Sequence, residues 1–264
     1  MKRAFTLVEL SVVLLVLAVL AHLAVRELGR TRDRKLVSAA DRQLEEVRSA
    51  VWELRPGEDP SGFLADMGRL PGISPDGTLE ELWARPAGVP EYALREATGT
   101  NLCAGVSGEP GVFVPTGWRG PYLRLPAGRD GLFDPWGNPM TVLDDAGLSR
   151  LNVENGFVTA VSHYGPTGRE SGKKTVSLIP DGGGSSRLVV NFLSAGASSG
   201  SVTCKWFGPC SGAVTGAVGT VAYPGTVSFE GLTPGLRVFH DSVTGGARFI
   251  VVKPGDNAMQ VVVP

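Results

Sequence analysis

Residues 5–25 read FTLVELSVVLLVLAVLAHLAV, an apolar stretch that starts four residues into the chain and carries one carboxylate, Glu9. At ~1.5 Å per helical residue, these 21 residues reach roughly 31 Å, which is enough to cross the hydrocarbon core of a bilayer. An ionisable group in such a segment costs on the order of a few kcal/mol and marks a functional site by default. The stretch therefore predicts a transmembrane helix in which Glu9 has a cationic partner.

The four residues before this stretch, MKRA, resemble the short basic leader of prepilins, and FTLVEL resembles the start of a mature type IV pilin or type II secretion pseudopilin. The resemblance implies that a prepilin peptidase cleaves between Ala4 and Phe5 and that Phe5 becomes N-methylated. It also implies that Glu9 supports assembly. Glu9 would neutralise the new α-amine of a neighbouring subunit, because a buried carboxylate is tolerable when it is paired.

Two other interpretations of the stretch remain open. A secretory signal peptide has an apolar region of about 7–15 residues, which is shorter than residues 5–25. A plain single-pass anchor has the same hydropathy as a pilin stem.

Five basic residues follow the span and are named here the basic collar: Arg26, Arg30, Arg32, Arg34 and Lys35. Counted against Lys2 and Arg3, the collar would put the C-terminal side in the cytoplasm. The prepilin resemblance implies the opposite orientation, with the collar near lipid headgroups or neighbouring stems. We expect a bacterial inner-membrane protein that crosses once, with its head in the periplasm or exported in a filament.

An amphipathic helix continues the span. The apolar residues Leu36, Ala40, Leu44, Val47 and Val51 recur at spacings of three and four, which is typical of one helix face. Pro56 and Gly57 interrupt the pattern. The leader (1–4) is thus followed by a predicted N-terminal helix over residues 5–58.

Residues 59–184 are interpreted as a globular head. The segments TLEEL (78–82), GWRGPYL (117–123) and DPWGNP (134–139) occur in the order seen in the major pseudopilin of type II secretion, which they resemble. The resemblance covers the stem and roughly residues 77–168. The motifs are interpreted as structural, and DPWGNP predicts a rigid turn that leads into a strand, because its prolines fix φ and its polar side chains can bond nearby N–H groups. The motif residues are Gly117, Trp118, Arg119, Gly120, Pro121 and Tyr122, with Asp134, Pro135, Trp136, Gly137, Asn138 and Pro139.

The resemblance also implies a calcium loop near the end of the head, at residues 163–172 here. Calcium needs six to eight oxygen ligands, but Glu170 is the one carboxylate in this loop and Lys173 and Lys174 follow it. We therefore expect the calcium site to be lost and predict no metal or cofactor. His163 is interpreted as a hydrogen-bonded loop residue.

Residues 185–264 begin within a GGGSS junction (182–186) and contain seven short β-rich segments separated by turns. The segments are 187–192, 201–206, 219–223, 226–229, 236–239, 247–252 and 259–263. They predict a separable β-sandwich-like module. The expected fold class is therefore α+β: a long helix on a pseudopilin-like head, followed by this module.

Cys204 and Cys210 flank five residues, and a disulfide between them is predicted in an oxidising periplasm. Free thiols remain the alternative, and no further Cys or His lies near enough for a zinc site. Cys103 is then left without a partner.

The net charge and the sequence motifs argue against two classes of function, nucleic-acid binding and hydrolysis. The net charge of −1 lacks the excess of basic residues expected of a nucleic-acid binder, and no hydrolase motif is present. We expect no enzymatic activity but a filament subunit whose partners are its own copies, other pseudopilins, an inner-membrane assembly platform, the prepilin peptidase and membrane lipid. The alternative is an anchored surface-binding protein, adhesin-like or a minor pilin, whose module binds a glycan, polymer or partner.

Overall fold

The computed structural model describes residues 7–53, 61–74, 77–137, 139–142, 159–163, 173–178, 186–196 and 199–264. Over these residues the chain forms long and short helices and several β-sheets, so the α+β class is confirmed. The predicted N-terminal helix is present as α1 (Leu7–Val51), but it ends before the predicted boundary at residue 58, since Trp52 and Glu53 are not helical. It has no break between the apolar half and the amphipathic half.

The second half of α1 packs on the head through the predicted face. Leu44, Val47 and Val51 are buried in a cluster with Phe63 and Met67 of the short helix α2 (Phe63–Met67). The first half of α1 contacts nothing in the described chain, since its Leu and Val side chains as far as Leu28 are exposed. The first half of α1, the stem, therefore extends away from the head with its apolar side chains uncovered.

Twelve strands follow among the residues that the structure describes. Their bounds are β1 (Ala93–Glu96), β2 (Phe113–Thr116), β3 (Thr141–Val142), β4 (Thr159–His163), β5 (Lys173–Ser177), β6 (Ser186–Ser194), β7 (Gly200–Cys210), β8 (Ala213–Tyr223), β9 (Gly225–Leu232), β10 (Gly235–Asp241), β11 (Ala247–Val252) and β12 (Gly255–Val263). The head carries the sheets β1-β2 and β3-β4-β5. Residues 186–264 form the sheets β11-β10-β7-β8 and β12-β6-β9, in which β12 pairs with β6 in parallel. All seven segments that the sequence predicts as extended beyond residue 185 are strands.

The two larger sheets contribute to one apolar cluster. Its buried members from β6, β7 and β10 include Leu188, Phe192, Cys204, Trp206 and Phe239. They alternate with outward residues, as expected of strands that bury one face. A second cluster lies on the opposite face of the β7-β10 pair.

This second cluster shows that the predicted independence of residues 185–264 is wrong. Phe207, Val214 and Val238 of the larger sheet are buried together with Val112 and Val114 of the head. The outer face of the sheet is thus covered by the β1-β2 ribbon around Phe207, Val214 and Val238, while Val218 and Phe249 on the same face are exposed. Head and module share a core, although the junction at 184/185 itself lies outside the described residues.

Backbone contacts reinforce that shared core. Ser211 N–H donates to the Met67 carbonyl at 2.8 Å, and Cys103 N–H donates to the Val214 carbonyl at 2.8 Å. Gly68 ends α2 with a left-handed φ of 69°, and a Cβ at this position would overlap the carbonyl oxygen of Pro209. The backbones of the head and the module are therefore in direct contact at these positions.

The predicted Cys204–Cys210 disulfide is also wrong. Cys210 is bonded to Cys103, with the Cα atoms 6.8 Å apart, and Cys204 is a buried free thiol. Cys204 and Cys210 both lie on β7, where six residues span roughly 20 Å at ~3.3 Å per residue. A disulfide needs Cα atoms within about 7 Å, so an extended strand cannot bridge them.

Removal of this disulfide should destabilise the whole head. The bond closes a loop with a sequence separation of 107 residues, for which the chain-entropy model gives an upper value of about 4.7 kcal/mol, and measured losses are commonly smaller. We expect Cys103→Ala to lower the free energy of unfolding of the full chain in detergent by about 3–4 kcal/mol. Urea titration measures this loss, and Cys204→Ala is the matched control that leaves the bond intact.

Peptide mapping distinguishes the two pairings directly. Trypsin cuts after Arg95, Arg119, Arg187, Lys205 and Arg237, so Cys103, Cys204 and Cys210 lie on three different peptides. We expect a non-reduced digest to contain peptide 96–119 linked to peptide 206–237. A link between 188–205 and 206–237 would contradict the observed pairing.

Candidate functional site

The N-terminal site is only partly within the described residues. Ala4 and Phe5 lie outside them, and Glu9 lies on α1, in its first turn. α1 contains a window that is long and apolar enough to cross a membrane. Arg26, Arg32, Arg34 and Lys35 of the basic collar are exposed just beyond this window. The disulfide fits a domain outside the cytoplasm.

The GWRGPYL motif joins three parts of the head. Gly117 has a φ of 118°, and a Cβ there would lie 2.6 Å from the Glu91 carbonyl oxygen. The Trp118 indole N–H donates to the Glu81 carbonyl at 2.9 Å. The N–H groups of Tyr122 and Leu123 both donate to the Leu82 carbonyl, at 2.8 and 3.0 Å. These contacts give the motif a structural role in the head.

The same motif surrounds a buried carboxylate that the sequence analysis did not identify. Asp66 of α2 is 3 % exposed. Its Oδ1 lies 2.9 Å from Arg119 Nη2, and its Oδ2 accepts a hydrogen bond from the Tyr122 hydroxyl at 3.1 Å. Burial raises the pKa of Asp66 to about 6, against the opposing effects of Arg119, the Tyr122 hydrogen bond and Arg237.

Arg237 of β10 completes this network from the module side. Its side chain is fully buried and donates to the carbonyls of Leu236 and Pro234, at 2.7 and 2.9 Å, and to the Thr233 hydroxyl at 2.6 Å. Burial lowers the pKa of Arg237 to about 9, while Asp66 opposes this shift. The guanidinium thus stays protonated at neutral pH. Asp66, Arg119, Tyr122 and Arg237 are named here the junction network.

The junction network predicts an unusual pH dependence. The unfolded chain releases the Asp66 proton near the ordinary pKa of 3.8, whereas the folded chain keeps it until about 6. Between these values the folded state binds more protons, so this carboxyl lowers stability as pH rises. We expect the stability of the wild type relative to Asp66→Asn to fall by about 2 kcal/mol between pH 4 and pH 7.

Urea titrations of both chains at several pH values measure this difference. Asp130→Asn, which removes an exposed carboxylate, is the matched control and should give a nearly constant difference. A difference for Asp66→Asn that is constant, or that rises with pH, would contradict the assignment.

The DPWGNP motif is a second structural turn. Asp134 is buried, and its Oδ1 accepts a hydrogen bond from the Trp136 N–H at 2.9 Å, as predicted for this residue type. Gly137 has a φ of 90° and donates its N–H to the Asp134 carbonyl at 2.9 Å. Trp136 is half-buried, as is Pro135, while Pro139 is exposed and pairs with Phe133. Asn138 lies outside the described residues.

The predicted loss of calcium binding stays a prediction. His163 ends β4, and residues 164–172 of the loop lie outside the described residues. Among the residues that are described, no group of three or more His, Cys, Asp or Glu side chains could hold a metal ion.

The junction network could have been found in part from strand parity. Arg237 has the same parity as Phe239 on β10, so alternation alone places a guanidinium on the inner face of the sheet. An inward Arg requires a partner, because an unpaired buried charge is very costly. No such signal exists for Asp66, which lies in a five-residue helix.

Comparisons of the chain with protein-family models, with curated proteins and with solved structures find no match.

Proposed function

We propose that this chain is a pilin-like subunit that assembles through its N-terminal helix into a periplasmic or surface filament of a type II secretion, or type IV pilus-like, machine and so supports protein export. One observation carries the proposal. Glu9 lies in an apolar span that begins directly after the short basic leader MKRA. The span is continuous with a stem helix anchored on a folded head.

The electrostatics of the span support assembly over simple anchoring. An anchor gains nothing from a carboxylate in its first turn, whereas the cost of that carboxylate falls when a cation lies at the same depth. Cleavage before Phe5 would create such a cation on every copy. Pairing of Glu9 with the Phe5 amine of a neighbour then makes each stem a partner for the next.

The mechanical design of the head supports the same proposal. The buried half of α1 packs on α2, and α2 is tied to the GWRGPYL turn through Asp66. A load applied to the stem is thereby transmitted to a head that a disulfide and a shared core hold together. We infer a pseudopilin-like head in which residues 186–264 form a sandwich-like extension of one rigid unit.

Partners and location follow from this proposal. The subunit would be processed by a prepilin peptidase at the inner membrane and passed to an assembly platform there. The Cys103–Cys210 bond supports placement of the head in the periplasm. Turnover of a substrate is not part of the proposed role.

Mass spectrometry of the N-terminus of the mature protein tests the proposal. We expect a chain that begins at N-methylated Phe5 when it is produced together with a prepilin peptidase, and an intact Met1 without it. An intact Met1 under both conditions would favour the anchored surface-binding alternative, and cleavage far beyond residue 5 would favour a signal peptide.

A further inference from the structure

The basic collar begins at the residue that follows the apolar stretch. Val25 ends that stretch, and the collar occupies positions 26–35 of the same continuous helix. Residues 26–35 carry five basic and two acidic side chains. At ~1.5 Å per residue, the whole collar lies within roughly 15 Å of the end of the apolar stretch. A net positive charge is therefore concentrated next to the segment that can cross a membrane.

This distance is short enough for the collar to reach the charge on a bilayer surface. The headgroup layer adds about 5–8 Å to each side of the hydrocarbon core. The attraction of an anionic surface extends about a further 8 Å at physiological ionic strength. Helical side chains also lean towards the N-terminus of their helix, which is the membrane end of this segment. The collar side chains are thus directed back towards the headgroups.

The basic side chains surround the helix and do not form a single face. Taking Arg26 as 0°, a helix of 3.6 residues per turn places Arg34 at roughly 80° and Arg32 at roughly 240°. Lys35 lies between them, at roughly 180°. These four side chains are exposed, and none of them forms an ion pair within the described part of the chain. A second protein would contact one side of such a helix, whereas lipid headgroups surround it, so the distribution favours a membrane surface.

One side of the collar continues into an open groove on α1. The groove has a volume of about 390 Å³ and is lined by Thr31, Arg34, Lys35, Ser38, Ala39 and Arg42. None of these six residues is acidic. The oxygens of a phosphate group accept hydrogen bonds from cationic and hydroxyl donors of this kind.

The groove lies on the side of α1 that is turned away from the head. Arg42 is placed roughly 160° around the helix from Leu44, and Leu44 is buried against the head. Packing of α1 on the head therefore leaves the basic groove uncovered by that cluster. The same helix can contact the head on one side and a membrane surface on the other.

We propose that the basic collar binds the phosphate headgroups of anionic phospholipids in the leaflet that it adjoins. The inference rests on the proposed function for the placement of α1 in a membrane, and it adds a lipid class and an anchoring depth to that function. Anionic headgroups hold the collar at the surface, so the span cannot slide outward without separating opposite charges. Assembly of the subunit into a filament then includes the release of the collar from lipid.

Spin-labelled lipids test the contact on the full-length chain. The protein would be reconstituted in vesicles of equal parts phosphatidylcholine and phosphatidylglycerol, and the immobilised fraction of each labelled lipid gives its relative affinity for the protein. We expect at least a threefold preference for phosphatidylglycerol at low salt. The preference should approach one at high salt, because screening weakens the attraction between charges. Equal affinity for the two lipids at low salt would overturn the proposal.

Variants locate the contact on the collar. Arg34→Gln with Lys35→Gln should lower the preference at least twofold, because glutamine keeps the helix propensity but not the charge. Arg34→Lys should keep the preference, since it keeps the charge. The matched control, Arg129→Gln with Lys253→Gln, removes two positive charges from exposed positions outside α1 and should have no effect. Equal losses for the two double variants would show that net charge attracts the lipid, and the collar contact would be wrong.

The outcomes also separate this contact from the proposed function. Filaments of subunits processed at Phe5, combined with equal affinity for the two lipids, would leave the proposed function in place and overturn the collar contact. A preference for phosphatidylglycerol in a chain that a prepilin peptidase does not process would support the contact and contradict the proposed function. If the lipid preference is absent and Arg34→Gln with Lys35→Gln lowers the filament yield, the collar binds a second subunit and not lipid.

Discussion

Deletion of residues 185–264 is expected to leave a head that does not fold. The truncation removes Phe207, Val214 and Val238, which are at most 1 % exposed against the head residues Val112 and Val114. Loss of three such side chains costs several kcal/mol, since each contributes about 1.5–3 kcal/mol when buried. That loss is comparable with the 5–15 kcal/mol that stabilise a typical domain.

The same deletion removes two further constraints. Cys103 loses its disulfide partner, and Asp66 loses the nearby positive charge of Arg237. We expect the truncated chain to insert in the membrane but to be degraded, with the loss seen as steady-state protein and as trypsin resistance of the head.

Complementation in trans provides the control for this experiment. Residues 185–264 exported as a second chain should restore trypsin resistance and become linked to the head through Cys103 and Cys210. A truncated head that accumulates in a protease-resistant form without the second chain would show that the module is separable after all.

Local periodicity explains why most elements were predictable. The apolar face of α1 and the alternation in the seven module strands are local sequence patterns, and each can be recognised from the residues of a single element. The independence of the module was inferred from composition, because a GGGSS junction resembles a flexible linker. Composition does not report which surface packs on the outer face of a sheet.

A sequence signal for that outer packing does exist. Trp206 and Phe207 are adjacent on β7, so their rings point to opposite faces of the sheet. Large apolar residues on both faces indicate a strand that is covered on both sides. The partner itself, the β1-β2 ribbon, lies about a hundred residues earlier and carries no matching signal.

The disulfide pairing likewise depends on tertiary contacts that local sequence patterns do not report. Proximity in sequence favours Cys204 and Cys210 as a pair, but the predicted strand from 201 to 206 already makes that pairing difficult. Extension of the strand to Cys210 separates the two thiols and leaves Cys210 at the edge of the head. Where a strand ends is thus decisive for a cysteine pairing, and strand ends are set by tertiary contacts.

Glu9→Leu is expected to abolish filament formation while leaving insertion intact. Leucine replaces the one carboxylate of the span, which makes insertion easier, but it removes the proposed partner of the Phe5 amine. We expect at least a tenfold loss of sheared or sedimented filament, with unchanged amounts of membrane-bound, Phe5-processed subunit. Glu9→Gln should fall nearly as far, since a neutral amide cannot neutralise the amine.

Ser11→Leu is the matched control, because it converts a polar side chain to leucine two residues away on the same helix. The Ser11 hydroxyl donates to the Leu7 carbonyl at 2.7 Å within α1, and no intermolecular role is assigned to it. Its filament yield should therefore equal that of the wild type. Equal losses of filament for Ser11→Leu and Glu9→Leu would indicate that the span tolerates no change in hydropathy. A normal filament yield from Glu9→Leu would show that assembly does not need the pair of Glu9 with the Phe5 amine.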